Sequence, residues 1–318
     1  MLRAGLLKPL IVTMLLAGAI GTATAEDALK IAVGQRGGWE QCVSDLGQNA
    51  GIFKKHGLAL DVLYTQGSGE TLQSVLSASV DVGIGIGTHS VLGAYAKGAP
   101  VRAIGSSFTS ADDQFYYVVA DSPIRSMKDA DGKTIAISTT GSASNIFALA
   151  LAKHFGVALK PQPTGAYAAT LTQTLTKQVD IGFSQAPFNL NAVEEGKIRI
   201  IAMGRDVPEL RQMTSRLIIA NTAILAEKKP LIARYMQGFV ETLEWLYSDP
   251  AAIKAYAAWS GLPENIARRA PEFLTKQNLD PRHISGLDAI MADAVKFKYL
   301  PAPLSAAQMA EVIQVPVR

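Results

Sequence analysis

Residues 71–83 read TLQSVLSASVDVG, and residues 170–182 read TLTQTLTKQVDIG. Six of these thirteen paired positions are identical: Thr71/Thr170, Leu72/Leu171, Leu76/Leu175, Val80/Val179, Asp81/Asp180 and Gly83/Gly182. Each copy reads as the end of an amphipathic helix that runs into a short apolar strand. The match extends downstream, where VDVG, a loop, VLGAYAKG and VRAIG align with VDIG, a loop, LNAVEEG and IRIIAMG. Two such units imply two similar lobes, since a solenoid needs at least about three repeats of 20–50 residues.

Strand-like and helix-like stretches alternate around this repeat at spacings suited to parallel crossovers. LKIAV (29–33), LALDVLYT (58–65), VRAIGSSF (101–108), QFYYVVA (114–120) and Lys133–Ser138 read as strands, while KPQPTGAY (160–167) reads as a loop. From Pro230 onward the pattern is helical, with Pro230, Pro250 and Pro263 each where a helix would begin. The expectation is an α/β chain. Its first lobe begins at residues 26–115, its second spans 116–217, and 218–318 return to the first lobe. The chain is expected to cross between lobes near Gln114–Ala120 and near Ser215–Asn221.

The opening MLRAGLLKPLIVTMLLAGAIGTATAED has Arg3 and Lys8, an apolar run from Leu10 to Ile20, and Ala23-Thr24-Ala25 before Glu26. This is the pattern of a secretory signal peptide cleaved after Ala25, and the apolar run is too short to span a bilayer. Removing residues 1–25 takes away two positive charges, so the formal charge falls from +3 to +1. That balance gives no electrostatic case for nucleic acid or an anionic membrane surface. Cys42 is the single cysteine, which excludes an intrachain disulfide.

The run DSPIRSMKDADGKTIAIS followed by GS, together with GIFKKHGL and VDVG, resembles the substrate-binding proteins of ABC importers, in the branch serving nitrate, sulfonates, taurine and thiamine-precursor pyrimidines. The resemblance implies a type II clamshell, each lobe a mainly parallel sheet flanked by helices, with two crossover hinge strands. It further implies a monomeric periplasmic receptor that hands a small solute, such as a sulfonate or taurine-like anion, to a permease and ATPase. A pyrimidine-binding protein is the alternative. No cofactor or catalytic residue is implied.

In open α/β sheets ligands bind beyond the carboxyl ends of strands. The loops expected there supply Trp39, Gln66, Gly67, Ser68, Thr88, His89, Gly141, Ser142, Ala143, Tyr167 and Gln185 as candidate ligand contacts. Glycine permits close backbone approach, and helix N-termini offer free N–H groups and favour anions. TQGSGET and TTGSAS are expected to face each other from equivalent places in the two halves. Serine there can equally be an N-cap worth about 0.5–2 kcal/mol. Trp39 and Tyr167 are the candidates for stacking, and Arg36 is the one loop arginine placed to clamp a carboxylate. A helix end supplies about 0.3–1 kcal/mol to a charge, far below the ~8 kcal/mol of a micromolar complex, so enclosure must contribute the remainder.

An enzyme is the rival class. His56, His89, His154 and His283 are scattered without a zinc-site spacing, no G-x-S-x-G elbow occurs, and GIGIG (83–87) lacks the rest of a dinucleotide fingerprint. The fungal pyrimidine synthase related to this family uses a cysteine-rich motif that a chain with one cysteine does not have.

Overall fold

The computed structural model describes residues 26–315, so the expected signal peptide lies outside the described residues. Among the described residues no helix is long and apolar enough to cross a membrane. The first half runs β1 (Asp27–Gly34), helix Val43–Asn49, β2 (Leu58–Thr65), helix Ser68–Leu76, β3 (Val82–Gly87), helix Thr88–Ala96 and β4 (Val101–Thr109). The second runs β5 (Gln114–Val119), β6 (Thr134–Ile137), helix Ala143–Phe155, β7 (Lys160–Pro163), helix Tyr167–Leu175, β8 (Gly182–Gln185), helix Leu190–Glu194 and β9 (Ile198–Met203). Strand β10 (Thr214–Asn221) precedes the helical tail.

Two sheets share one plan. The first has the order β2-β1-β3-β10-β4. In the second, β8-β5-β9 and β6-β7 are joined by a parallel bridge between Ile135 and Ile181, which gives β7-β6-β8-β5-β9. In the first sheet β1 is parallel to β2 and β3, while β10 is antiparallel to both β3 and β4. Four of its five strands therefore point one way, and the fifth arrives from the other lobe. Strand β5 takes the same antiparallel place in the second sheet, between β8 and β9.

The chain passes between sheets at residues 110–113 and again at residues 204–213, immediately ahead of β5 and β10. Strand β5 pairs only within the second sheet and β10 only within the first.

The six repeated residues hold equivalent places. Asp81 Oδ2 accepts the backbone N–H of Lys30 on β1 at 2.8 Å, and Asp180 Oδ2 accepts that of Thr134 on β6 at 2.9 Å. The Thr71 hydroxyl lies 2.7 Å from that of Thr65, and the Thr170 hydroxyl 2.6 Å from that of Thr164. Gly83 and Gly182 let the preceding helix lie against its strand. A Cβ on Gly83 would come within 2.7 Å of Val75, and one on Gly182 within 2.5 Å of the Thr174 hydroxyl. Val80 and Val179 are buried beneath each helix. Leu72 is buried and its counterpart Leu171 half-buried, while Leu76 is half-buried and its counterpart Leu175 exposed.

Strand β7 departs from the expected loop. KPQP pairs with β6 in register Ile135↔Pro161 and Ile137↔Pro163 at the sheet edge, where a missing proline N–H breaks no ladder. This strand shifts the correspondence of the halves. TQGSGET follows β2, so its counterpart follows β7 and is TGAY (164–167); TTGSAS follows β6 and matches the loop after β1.

The helical tail packs against the first lobe. Tyr235, on helix Lys229–Ser248, stacks on Phe53 and its hydroxyl lies 2.9 Å from that of Ser44. Near the end of the described chain, Gln314 N donates to the carbonyl of Ala103 on β4.

Candidate functional site

Strand ends from both sheets meet around one cavity of about 40 Å³. Gly34 and Gln35 reach it from the end of β1, Gly67 and Ser68 from the loop after β2, and Gly85 from β3. The second lobe contributes Ser138, Ser142, Ala143 and Ser144 after β6, Tyr167 after β7, and Phe183 and Gln185 from β8. Gln114 and Arg216 enter where the chain passes between the lobes.

The lobes touch closely here. Gln35, at φ 62°, turns its Oε1 to accept the Tyr167 N–H at 2.9 Å, so a first-lobe side chain takes an orphan donor at a second-lobe helix start. The Gly67 Cα approaches so near that a Cβ there would sit 2.6 Å from Ser138 Oγ. Ser142 caps helix Ala143–Phe155 by accepting the Asn145 N–H. Ser68 does not cap its own helix; its hydroxyl accepts the Gly87 N–H at 2.9 Å.

Six of the eleven candidate residues line the cavity: Gly67, Ser68, Ser142, Ala143, Tyr167 and Gln185. The other five lie outside that lining. Trp39 is fully buried under its loop, donating to the Tyr247 hydroxyl at 2.9 Å and standing edge-on to Tyr247 and Tyr256. Thr88 donates to the carbonyl of Thr214 at 2.6 Å. His89 is buried edge-on to Tyr299, with Nε2 unpartnered, and burial lowers its pKa to about 4. Gly141, in the left-handed region, turns the loop beside Ser90 and Tyr299, and Gln66 is exposed. Arg36 is no clamp either: its Nε and Nη2 donate to the carbonyl of Trp259, and it lies over the Trp259 ring.

The arginine at the cavity is Arg216, on β10, within the expected crossing near Ser215–Asn221 and outside the candidate contacts. Its Nε lies 2.8 Å from Glu40 Oε2, its Nη2 donates to Asp113 Oδ2, and the guanidinium sits 4.6 Å from the Phe108 ring centroid. Glu40 also accepts from the Ser107 hydroxyl and from Gln185 Nε2 at 3.3 Å. The Tyr167 hydroxyl donates to Gln185 Oε1 at 2.6 Å and completes a network across the lobes. Burial, reinforced by Glu40, pushes the Asp113 carboxyl up to about 6 against the opposing pull of Arg216. Burial pulls on Arg216 in the opposite sense, but Asp113 and Glu40 hold its guanidinium above the usual range.

The arrangement offers polar contacts and aromatic faces. Cys42 is buried, donates to the carbonyl of Trp39, and is pushed well above its ordinary pKa by burial. Among the described residues no group of three or more His, Cys, Asp or Glu could hold a metal ion.

Solved structures share this architecture. The alkanesulfonate-binding protein of Xanthomonas axonopodis pv. citri, bound to MOPS, is 19% identical with a TM-score of 0.77, covering 92% of this chain and 100% of its own. The periplasmic aliphatic sulphonate-binding protein of Escherichia coli is 18% identical with a TM-score of 0.69, covering 89% and 91%. The periplasmic nitrate-binding protein of Synechocystis PCC 6803 is 13% identical with a TM-score of 0.68, covering 90% and 84%. At such identities the likeness establishes the fold, the two-lobed fold of periplasmic binding proteins. No curated protein matches the chain. A family model described as NMT1/THI5 like matches residues 46–253, well over half of the sequence, and the chain therefore belongs to the NMT1/THI5-like family.

Proposed function

We propose that the chain is the solute-binding component of an ABC-type importer, acting in the periplasm after loss of residues 1–25 and passing a small organic solute to a membrane permease. The observation that carries this reading is the cavity between matching strand ends of the two sheets, lined by Gly67 and Ser68 on one side and Ser142 and Tyr167 on the other. Such crevices are where α/β sheets take ligands, and two passages of chain between lobes are a natural hinge for closure. The sulfonate- and nitrate-binding neighbours support a small polar solute as the class. Reversible binding, without chemistry, fits a lining that contains neither cysteine nor histidine.

The resemblance implies a sulfonate or taurine-like anion, for which helix N-termini are favourable places; the charge of the cavity wall is set by Arg216 and its two acids. The test is a melting-shift screen of sulfonates, nitrate, carboxylates and pyrimidines. A true solute at a hundredfold excess over its Kd stabilises by about 2.7 kcal/mol. Catalytic consumption of a compound in the screen would replace this reading with an enzyme.

A further inference from the structure

The buried charges behind the cavity do not cancel. Arg216 carries one positive charge and faces the carboxylates of Glu40 and Asp113, and all three side chains are at most 5% exposed. With both acids ionised the cluster sums to 1 − 2 = −1. Arg216 is the only charged residue in the lining. An incoming anion would touch a guanidinium already engaged by two buried carboxylates, so the wall offers it no net positive charge.

The hydrogen-bonding inventory agrees. Four lining residues carry a buried polar atom with no partner: Arg216 Nη1 and Ser138 Oγ as donors, Gln41 Oε1 and Gln114 Oε1 as acceptors. All four side chains belong to residues more than nine-tenths buried. A carboxylate or sulfonate has acceptors only, so it would answer the first pair and turn its oxygens on the second. An amide or lactam carries both functions in one plane, and Tyr167 and Phe183 add flat aromatic surface to the same cavity.

We propose, given that the cavity is a solute site, that its solute presents an uncharged planar head with a carbonyl acceptor and N–H donors, an amide or lactam, to Arg216, Ser138, Gln41 and Gln114. Net anions are disfavoured. Entry of an anion is expected to be coupled to proton uptake on Asp113, which faces Glu40, Arg216 and the Tyr167 hydroxyl and whose carboxyl burial already pushes up to about 6.

Isothermal titration and melting shifts with isosteric probes test this on the purified protein: benzamide against benzoate, and 2-pyridone against benzenesulfonate. At pH 7.5 the neutral member of each pair is expected to bind at least tenfold more tightly. Between pH 7.5 and 5.5 benzoate affinity should rise several-fold while benzamide affinity changes less than threefold. Glu40→Gln removes the excess charge and should shrink the tenfold gap to under threefold; Asp113→Asn serves the same purpose where the first variant fails to fold. Benzoate or benzenesulfonate binding as tightly as its neutral partner at pH 7.5 overturns the inference and leaves the solute-binding reading standing. Absence of binding by both classes at millimolar concentration counts against both.

Discussion

His89 and Asp113 are both buried, and burial moves them in opposite directions. For His89 the folded pKa, about 4, lies below the ordinary 6.5, so the folded state prefers the neutral ring. Its contribution is fully present above pH 6.5 and is lost as pH falls through 4, by up to about 3 kcal/mol. Asp113, raised from 3.8 to about 6, favours the folded state at low pH and gives that preference up as pH rises through 6. Burial of His89 predicts that His89→Gln loses less stability than wild type between pH 7 and 4.5. Urea midpoints at the two pH values check it, and equal losses would clear His89 of the acid lability. His89 was legible as a loop histidine near the cleft; that Tyr299 would cover it was not. Arg216 was illegible for a related reason. Its partners Glu40 and Asp113 lie in other segments, 103 residues away in the case of Asp113, and nothing in SRLIIAN marks the arginine as paired. Trp39 carried the opposite hazard: an aromatic residue on a glycine loop looks available, and only the tail helices that bring Tyr247 and Tyr256 over it show otherwise.

At the scale of elements, the repeat was readable because its identities are the residues that dock a helix end onto a strand. Asp81 and Asp180 do this job twice in different surroundings. Asp81 is 4% exposed and, besides the Lys30 N–H, holds Lys228 Nζ at 2.9 Å; Asp180 is exposed and holds only Thr134, through its N–H and hydroxyl. Hydrogen bonds to a charged group are worth about 1.5–3 kcal/mol when buried and less in water. Asp81→Ala is therefore expected to cost ~2–3 kcal/mol and Asp180→Ala ~1 kcal/mol, compared by chemical denaturation. A reversed order would mean that the first copy is not the better anchored. The element that escaped was β7. Two prolines in four residues argue against a strand by propensity, and only its place at the edge of the sheet makes the pairing tolerable. Losing that strand is what made TTGSAS look like the counterpart of TQGSGET.

For the whole molecule, two copies of one five-strand plan are held face to face, and the contacts between them decide whether the cavity exists. Gln35 reaches Tyr167, Gln185 reaches Glu40, and the Tyr299 hydroxyl reaches Asn145, each joining one lobe to the other. Main chain meets main chain across the lobes at Gly87, the last residue of β3. A Cβ there would fall 2.6 Å from the Gly141 carbonyl oxygen and 2.9 Å from Ser142 Cα, main-chain atoms of the opposite lobe that cannot swing aside. The backbone of Gly87, at φ −54° and ψ 128°, suits any residue, so an alanine there strains neither lobe on its own. Gly87→Ala is accordingly expected to fold with a melting temperature near wild type when no solute is present, yet to close incompletely. Solution scattering should report a larger radius of gyration, and solute affinity should fall roughly tenfold or more, about 1.4 kcal/mol. If the variant keeps both the compact radius and full ligand stabilisation, the approach of β3 to the Gly141–Ser142 turn is not what encloses the solute.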